Sequence, residues 1–129
     1  MRYLGIDYGE KHIGIAVSDE TGTLAFPFDT FSNSKTLIDD IKKVVEEKGV
    51  GGIVMGESKD FQGKENPIME KARVFAKVLG EATGLPVFFE PEFMTSVEAR
   101  RFQGGGEKTH SSASALILKS FLERKNNKI

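Results

Sequence analysis

Cysteine is absent from the 129 residues, and no long apolar run occurs in the chain. Without thiolates, disulfides and cysteine-based metal sites are excluded, so a metal ion would have to bind oxygen ligands, with His12 or His110 as additional donors. No run approaches the ~18 apolar residues that a membrane-spanning helix needs, so we expect no membrane association. Asp7 falls where the apolar core of a signal peptide would lie. We therefore expect a cytoplasmic protein.

The net charge of −1 conceals an uneven distribution. Residues 1–92 carry 11 basic and 16 acidic residues, a net charge of −5, whereas residues 93–129 carry 7 basic and 3 acidic residues, a net charge of +4. A basic C-terminal third beside an acidic body suits a surface that follows a phosphate backbone next to a cation site. Ordinary solvated helix faces would give the same pattern.

The N-terminal third of the chain has the two-residue period of β-strands. Residues 2–7, 12–19 and about 24–31 are predicted strands joined by short turns, which implies an antiparallel meander. Pro27 cannot donate to a strand ladder, so the third strand is expected at an edge of the sheet.

After residue 31 the pattern alternates between helices and strands. The spacing predicts a helix ended by Gly49, a strand at 52–56, a helix from Pro67 to Gly84, a strand at 86–90, a short helix at about 95–102 and a last helix from Ser111. The order βββαβαβαα is an α/β fold with a five-stranded mixed sheet: three antiparallel strands followed by parallel ones. We expect one domain over residues 1–125 and a frayed tail at 126–129.

Acidic residues follow several of the predicted strands. Asp7 follows the first, Glu57 the fourth, and either Glu90 or Glu92 the fifth. If the fourth strand pairs with the first, Asp7 and Glu57 become neighbours, with a third carboxylate nearby. Such a cluster predicts a Mg²⁺ or Mn²⁺ site, and two ions about 4 Å apart can cleave phosphodiesters. Alternatively, these acids cap helices or face water.

Several stretches resemble the YqgF-type (RuvX) proteins, a bacterial family with an RNase H-like fold. Its members are described as nucleases that mature the 5′ end of pre-16S rRNA or as Holliday-junction resolvases. The resemblance covers residues 2–122. The matching stretches are GIDYG at 5–9, IGIAV at 13–17, IVMG at 53–56 with DFQG at 60–63, EFMTSVEA at 92–99 and SSASALIL at 111–118.

The departures from the family pattern concern its acidic residues. The family usually has Asp-Glu-Arg where this chain has Pro91-Glu92-Phe93, and a metal-site Asp where this chain has Ser111. Glu57 stands where the family typically has Leu, and it could supply a replacement charge. The resemblance therefore implies Asp7 and Glu92 as catalytic residues and as ligands of Mg²⁺ or Mn²⁺. The position of Glu57 after the fourth strand adds it as a third candidate for both roles.

Basic and hydroxyl side chains in the second half of the chain are candidates for substrate binding. They are Lys59, Arg100, Arg101, Lys108, Ser111 and Ser112. The two serines at a predicted helix N-terminus could bind phosphate through backbone N–H groups, although N-capping explains them equally.

Three functions remain open from the sequence. The first is a metal-dependent nuclease that acts on structured RNA in the 5′-end processing of pre-16S rRNA. The second is a resolvase of branched DNA, which would be expected to work as a homodimer. The third is a non-catalytic nucleic-acid-binding module that has lost the carboxylate at Ser111.

Overall fold

A computed structural model describes the backbone of residues 1–59, 67–93 and 107–127, and the side chains there except those of 58, 59, 92, 93 and 107–109. The strands are β1 (Arg2–Asp7), β2 (His12–Ser18), β3 (Ala25–Ser32), β4 (Val50–Lys59) and β5 (Val87–Phe93). The helices are α1 (Leu37–Lys48), α2 (Ile68–Thr83) and α3 (Glu107–Asn126). The order βββαβαβα confirms the prediction, except that the short helix at 95–102 lies outside the described residues.

The five strands form one mixed sheet in the order β3-β2-β1-β4-β5. β1 pairs antiparallel with β2, and β2 with β3, as the short turns predict. β4 lies parallel between β1 and β5, which fulfils the condition that the fourth strand pairs with the first. β3 is an edge strand, which confirms the prediction from Pro27.

Each face of the sheet has its own apolar core. On the first face, β-strand residues such as Ile6, Ile15 and Met55 pack with the buried sides of α1 and α2. On the second face, called here the α3 face, Tyr3, Ala16 and Val54 pack with the apolar side of α3. Because strand side chains alternate between the faces, the position of a residue in its strand decides which helix it meets.

Glycines bring α3 unusually close to the sheet. A Cβ atom on Gly5 would lie 2.9 Å from Cβ of Leu118, and one on Gly14 would collide with the backbone of His110. The N-terminal half of α3 therefore rests on backbone where β1 and β2 pair, which places it beside the end of β1.

The predicted boundaries hold at the ends of α1 and α2 but fail at the ends of β4 and β5 and at the start of the last helix. Gly49 and Gly84, both with positive φ, end α1 and α2 as expected. β4 continues past its predicted end at residue 56 through residues 57–59, because these pair with residues 91–93 of a β5 that is also longer than predicted. The last helix begins at Glu107 and not at Ser111. The sequence did not reveal this start, because the first turn is polar and lacks the apolar spacing by which a packed helix is recognised.

Among the described helices, none combines the length and apolar character that crossing a membrane requires.

Candidate active site at the carboxyl end of β1

Asp7 is the last residue of β1, in the centre of the sheet. It pairs with Gly14 of β2, and alternation along β1 places its side chain on the α3 face with Gly5 and Tyr3. The carboxylate is largely buried and makes no hydrogen bond or ion pair with any residue that the structure describes. Burial raises the pKa of Asp7 to about 6, because water no longer solvates the charged form fully.

The neighbouring strands provide a row of residues next to Asp7. Ile6 pairs with Met55, so the next step of this register brings Asp7 beside Gly56, and Gly56 pairs with Glu90 of β5. Since strands lie about 4.8 Å apart, the Cα atoms of Asp7 and Glu90 are roughly 10 Å apart. Gly56, the residue between them in this row, contributes no side chain of its own.

Glu90 is occupied by contacts within the protein. It is buried, its Oε2 accepts a hydrogen bond from the Ser120 hydroxyl at 3.0 Å, and Arg124 Nη2 lies 2.6 Å from its Oε1. These contacts tie α3 to β5. Of the two acids that the sequence left open on the fifth strand, Glu90 is therefore the structural one.

Glu92 stands two residues beyond Glu90 in β5, opposite Ser58 of β4. Its backbone lies two residues, about 7 Å, beyond the row that contains Asp7 and Gly56. Among the described residues of β1 and β5, Asp7 and Glu92 are the acidic positions left once Glu90 is set aside.

Glu57 is not brought together with Asp7. Its strand is adjacent to β1, as predicted, but its side chain lies on the opposite face and forms an ion pair of 3.0 Å with Arg73 of α2. Arg73 also stacks 5.0 Å from the ring centroid of Phe89. The expectation of close neighbours is wrong because β4 extends through Glu57, and a period of two then fixes its face.

Ser111 lies on the face of the sheet that carries Asp7. It is 7 % exposed, and the α3 backbone at His110 and Ser111 crosses Gly14, the residue paired with Asp7. The hydroxyl of Ser114 donates a hydrogen bond to the Ser111 carbonyl at 2.8 Å. A neutral hydroxyl thus occupies the position where the resemblance leads us to expect a carboxylate.

The predicted phosphate site on the backbone of Ser111 and Ser112 needs correction. Only the first four N–H groups of a helix lack partners inside it. Because α3 begins at Glu107, the N–H groups of both serines fall within the helix. Their backbone cannot form a helix N-terminal anion site, so any contact with phosphate would have to come from the hydroxyls.

A histidine pair at the same rim was not foreseen from the sequence. The rings of His12, at the start of β2, and His110, on α3, are 5.2 Å apart. The sequence suggests His12 and His110 only as separate additional metal donors, and nothing local to either residue indicates that the two meet. Their contact depends on α3 returning across the antiparallel strands.

The basic candidates are only partly placed. Lys59 ends β4, and Lys108 is in the first turn of α3, so both backbones lie at the ends of elements that border the rim. Arg100 and Arg101 lie outside the described residues.

The residues at the rim suit a hard divalent cation. Asp7 offers a carboxylate that has no partner in the described chain, Gly56 beside it carries no side chain, and Glu92 is the acidic position two residues beyond Glu90 on β5. Mg²⁺ takes one or two protein carboxylates and keeps several waters, so a full protein cage is not required. Among the described side chains, which exclude that of Glu92, no group of three His, Asp or Glu residues is arranged to hold a metal.

Comparison with known proteins identifies the family. The sequence model of the RuvX family, described as Holliday junction resolvase, matches residues 1–124. This chain belongs to the RuvX family. It is 34% identical to a protein of Thermoanaerobacter pseudethanolicus, with 99% of this chain and 100% of the relative covered. It is 33% identical to a protein of Oenococcus oeni, with 97% and 96% covered. Both relatives are named as candidate pre-16S rRNA nucleases.

Solved structures confirm the RNase H-like fold. RuvC of T. thermophilus, in complex with a Holliday junction substrate, matches with a TM-score of 0.60 at 16% identity, with 98% of this chain and 97% of that chain covered. The resolvase of fowlpox virus matches with a TM-score of 0.52 at 11% identity, with 97% and 99% covered. At these identities the likeness concerns the fold alone.

Proposed function

We propose that this protein is a cytoplasmic, divalent-metal-dependent nuclease that hydrolyses phosphodiester bonds of structured RNA in the 5′-end processing of pre-16S rRNA. The observation that carries the proposal is Asp7, a largely buried carboxylate without a partner in the described chain, at the end of the central strand. The names of the RuvX relatives support rRNA as the substrate.

Asp7 and Glu92 are the residues that would hold Mg²⁺ or Mn²⁺. A bound ion supplies an activated water and stabilises the oxygen that leaves the phosphate. Ser111 borders the site as a neutral group, so the protein offers the metal one negative charge fewer than it would with an aspartate at this position. Glu57 has no such role in this proposal, because Arg73 holds it on the opposite face.

Cations near the rim would hold the phosphate backbone of the substrate. Lys59 and Lys108 have the backbone positions for this, and Arg100 and Arg101 follow β5 in sequence. The hydroxyl of Ser112, half-buried on α3, could add a neutral contact. Contacts of this kind give affinity that falls with salt and carries no sequence preference.

The test is a cleavage assay on a pre-16S RNA segment with its 5′ leader and, beside it, a four-way DNA junction. Each substrate is incubated with Mg²⁺, with Mn²⁺ and with EDTA. We expect the RNA to be cut with either metal and to stay intact in EDTA. Equal cleavage in EDTA would exclude the metal-dependent mechanism.

The variant Ser111→Asp separates a nuclease from a non-catalytic binding module. If the natural protein binds RNA, cuts neither substrate and gains cleavage only with Asp at position 111, the chain is a binding module that has lost its activity. If the natural protein cuts RNA, this alternative is excluded.

A Holliday-junction resolvase is the second candidate, favoured by an apolar surface on α2. Val74 and Val78 are 65% and 45% exposed, beside a groove of about 520 Å³ that Ile38 and Phe75 also line. Cleavage of a symmetric junction requires two active sites, which a homodimer supplies.

The charges on α2 suit a second copy of this chain. If the exposed sides of two α2 helices pack antiparallel, with the two-fold axis level with the buried Ala76, Val74 meets Val78 of the second copy. Lys71, which lies 3.9 Å from Glu10 of its own chain, then also comes near Glu81 of the second copy. Every such contact occurs twice, as a two-fold axis requires. We propose α2 as the dimer interface.

Sedimentation analysis of the whole protein tests the dimer. We expect a dimer that Val74→Lys converts to a monomer, whereas Leu116→Lys, at a 44% exposed leucine on α3, leaves it dimeric. A monomeric natural protein at micromolar concentration would contradict the interface.

A further inference from the structure

A second cavity lies on the α3 face, near the N-terminal end of β1 and away from the rim. It has a volume of about 440 Å³ and is lined by Tyr3, Phe88, Phe121, Arg124 and Lys125. Three of these side chains are aromatic and two are cationic, so the cavity presents ring faces and positive charge together.

The three rings form a supported platform. Phe121 packs edge-on against Tyr3 with centroids 5.5 Å apart, and it lies 5.4 Å from Phe88 at an interplanar angle of 33°. Tyr3 and Phe121 are buried, whereas Phe88 is 39% exposed. Phe88 is exposed because β5 is an edge strand and α3 packs mainly on β1, β2 and β3.

The two cations differ in how far their charge is neutralised. Arg124 is paired with Glu90, although 54% of its side chain is exposed. Lys125 has its Nζ 5.5 Å from the ring centroid of Tyr3 and forms no ion pair with any residue that the structure describes. An anion at the mouth of the cavity would therefore meet one full positive charge and part of another.

We infer that this cavity binds an unpaired nucleotide of an RNA strand, with the base against Phe88 and a phosphate at Lys125. Stacking on an aromatic ring accepts any base, and a cation beside the ring holds the backbone. A base in a duplex has its faces covered by its neighbours and cannot use such a platform. An acidic protein segment would use the lysine but gain little from the ring.

The position of the cavity indicates which substrates it would select. Tyr3 and Asp7 lie on the same face of β1, four residues and therefore about 13 Å apart. A single strand can span this distance in a few nucleotides. Given the proposed nuclease function, the cavity would bind an unpaired stretch next to the bond that is cut, as a single-stranded leader provides.

The test measures binding of a fluorescein-labelled oligouridylate of 12 nucleotides by fluorescence anisotropy, in EDTA so that no cleavage occurs. We expect Phe88→Leu, which keeps an apolar side chain but removes the ring, to weaken binding about five- to tenfold. The matched control is Phe28→Leu. Phe28 is also 39% exposed, lies on the other edge strand and has Lys48 Nζ 5.4 Å from its ring centroid. We expect the control to bind within twofold of the natural protein.

Two further measurements distinguish base from phosphate recognition. Lys125→Gln should reduce the slope of log Kd against log salt by about 0.7, the contribution of one phosphate contact on a single strand. Adenosine 5′-monophosphate should shift the NMR signals of the Phe88 and Phe121 rings, whereas ribose 5-phosphate should not. This measurement uses the natural protein and does not depend on a variant that folds.

An unchanged affinity of Phe88→Leu, or an equal loss on an RNA duplex of the same length, would overturn the inference. Failure of the proposed function would look different, because it concerns cleavage and metal. If Phe88→Leu binds normally while RNA is still cut with Mg²⁺, only the cavity assignment fails. If RNA is never cut while Phe88→Leu loses affinity, only the nuclease proposal fails.

Discussion

Two aspartates, Asp7 and Asp19, both stand at the ends of strands in the sequence, but their side chains have opposite environments in the structure. Asp7 ends β1 and Asp19 directly follows β2, and since these strands are antiparallel, the two lie at opposite ends of the sheet. Asp19 accepts hydrogen bonds from the Thr21 hydroxyl at 2.7 Å and from the backbone N–H groups of Thr23 and Leu24 at 2.8 and 3.0 Å. Asp7 has no such donor in the described chain.

The pKa values show the consequence of this difference. The hydrogen bonds, that of Thr21 first, lower the pKa of Asp19 to about 2, whereas burial raises the pKa of Asp7 to about 6. Asp19 is a structural residue whose charge is satisfied by its own turn. The buried carboxylate of Asp7 has no donor or cation from the described chain to stabilise its charge, so a bound metal ion would stabilise it.

The largest expected difference between the two residues is in cleavage. Asp7→Asn should reduce the rate of RNA cleavage by at least about a hundredfold, because even groups that only orient metal ligands are worth 10- to 100-fold. Asp19→Asn, the matched control, should cut within about twofold of the natural protein. The measurement is the single-turnover rate with saturating Mg²⁺. Similar rates for both variants would remove the distinction between the two aspartates.

The next largest effect is on the stability of Asp7→Asn, which should rise although its activity is lost. The pKa of Asp7 in the folded protein, about 6, lies above its value in the unfolded chain. The free energy of unfolding that depends on protonated Asp7 is therefore fully present below about pH 4 and is lost as the pH rises through 6. In EDTA at pH 8, Asp7→Asn should therefore be more stable by up to about 3 kcal/mol, at 1.36 kcal/mol per pKa unit. The two proteins should agree near pH 4.

Urea unfolding followed by circular dichroism at both pH values measures this stability difference. Mg²⁺ should then stabilise the natural protein and leave Asp7→Asn unchanged, because only a ligand that binds the folded state shifts unfolding. A variant that is no more stable than the natural protein at pH 8 would show that Asp7 is solvated or paired.

The smallest expected effect is at Asp19. Asp19→Ala should lower the melting temperature at pH 7 by a few degrees, because the turn loses the acceptor for its hydrogen bonds. The folded pKa of Asp19 is lowered, so this stability is present above about pH 4 and lost as the pH falls through 2. Thermal unfolding at pH 7 and near pH 2 tests both statements. A difference that persists at the lower pH would mean that packing, and not charge, is responsible.

Features that depend on local pattern were predictable. The alternation of apolar residues and the short turns predict the order of strands and helices along the chain. Gly49 and Gly84, which end α1 and α2, can be recognised directly in the sequence. Asp7 could be selected because it ends a short apolar strand. Pro27 marks its strand as an edge because its backbone has no N–H group to donate.

Features that depend on pairing were not predictable to the same degree. Whether Glu57 faces Asp7 depends on where β4 ends, and a few residues of extra ladder placed it beside Arg73 instead. The choice between Glu90 and Glu92 depends on Ser120 and Arg124, which are distant in sequence and reach β5 only through the packing of α3.

The sequence by itself determined the fold class, the family and Asp7 as the central acidic residue, because these follow from local period and motif. Only the tertiary structure decided which other acids share the environment of Asp7, since that depends on register and on the face each side chain occupies. It likewise assembled the cavity around Tyr3, Phe88 and Phe121 from three separate elements. A strand has a period of two, so a shift of one residue, invisible in composition, moves a carboxylate from one side of the protein to the other.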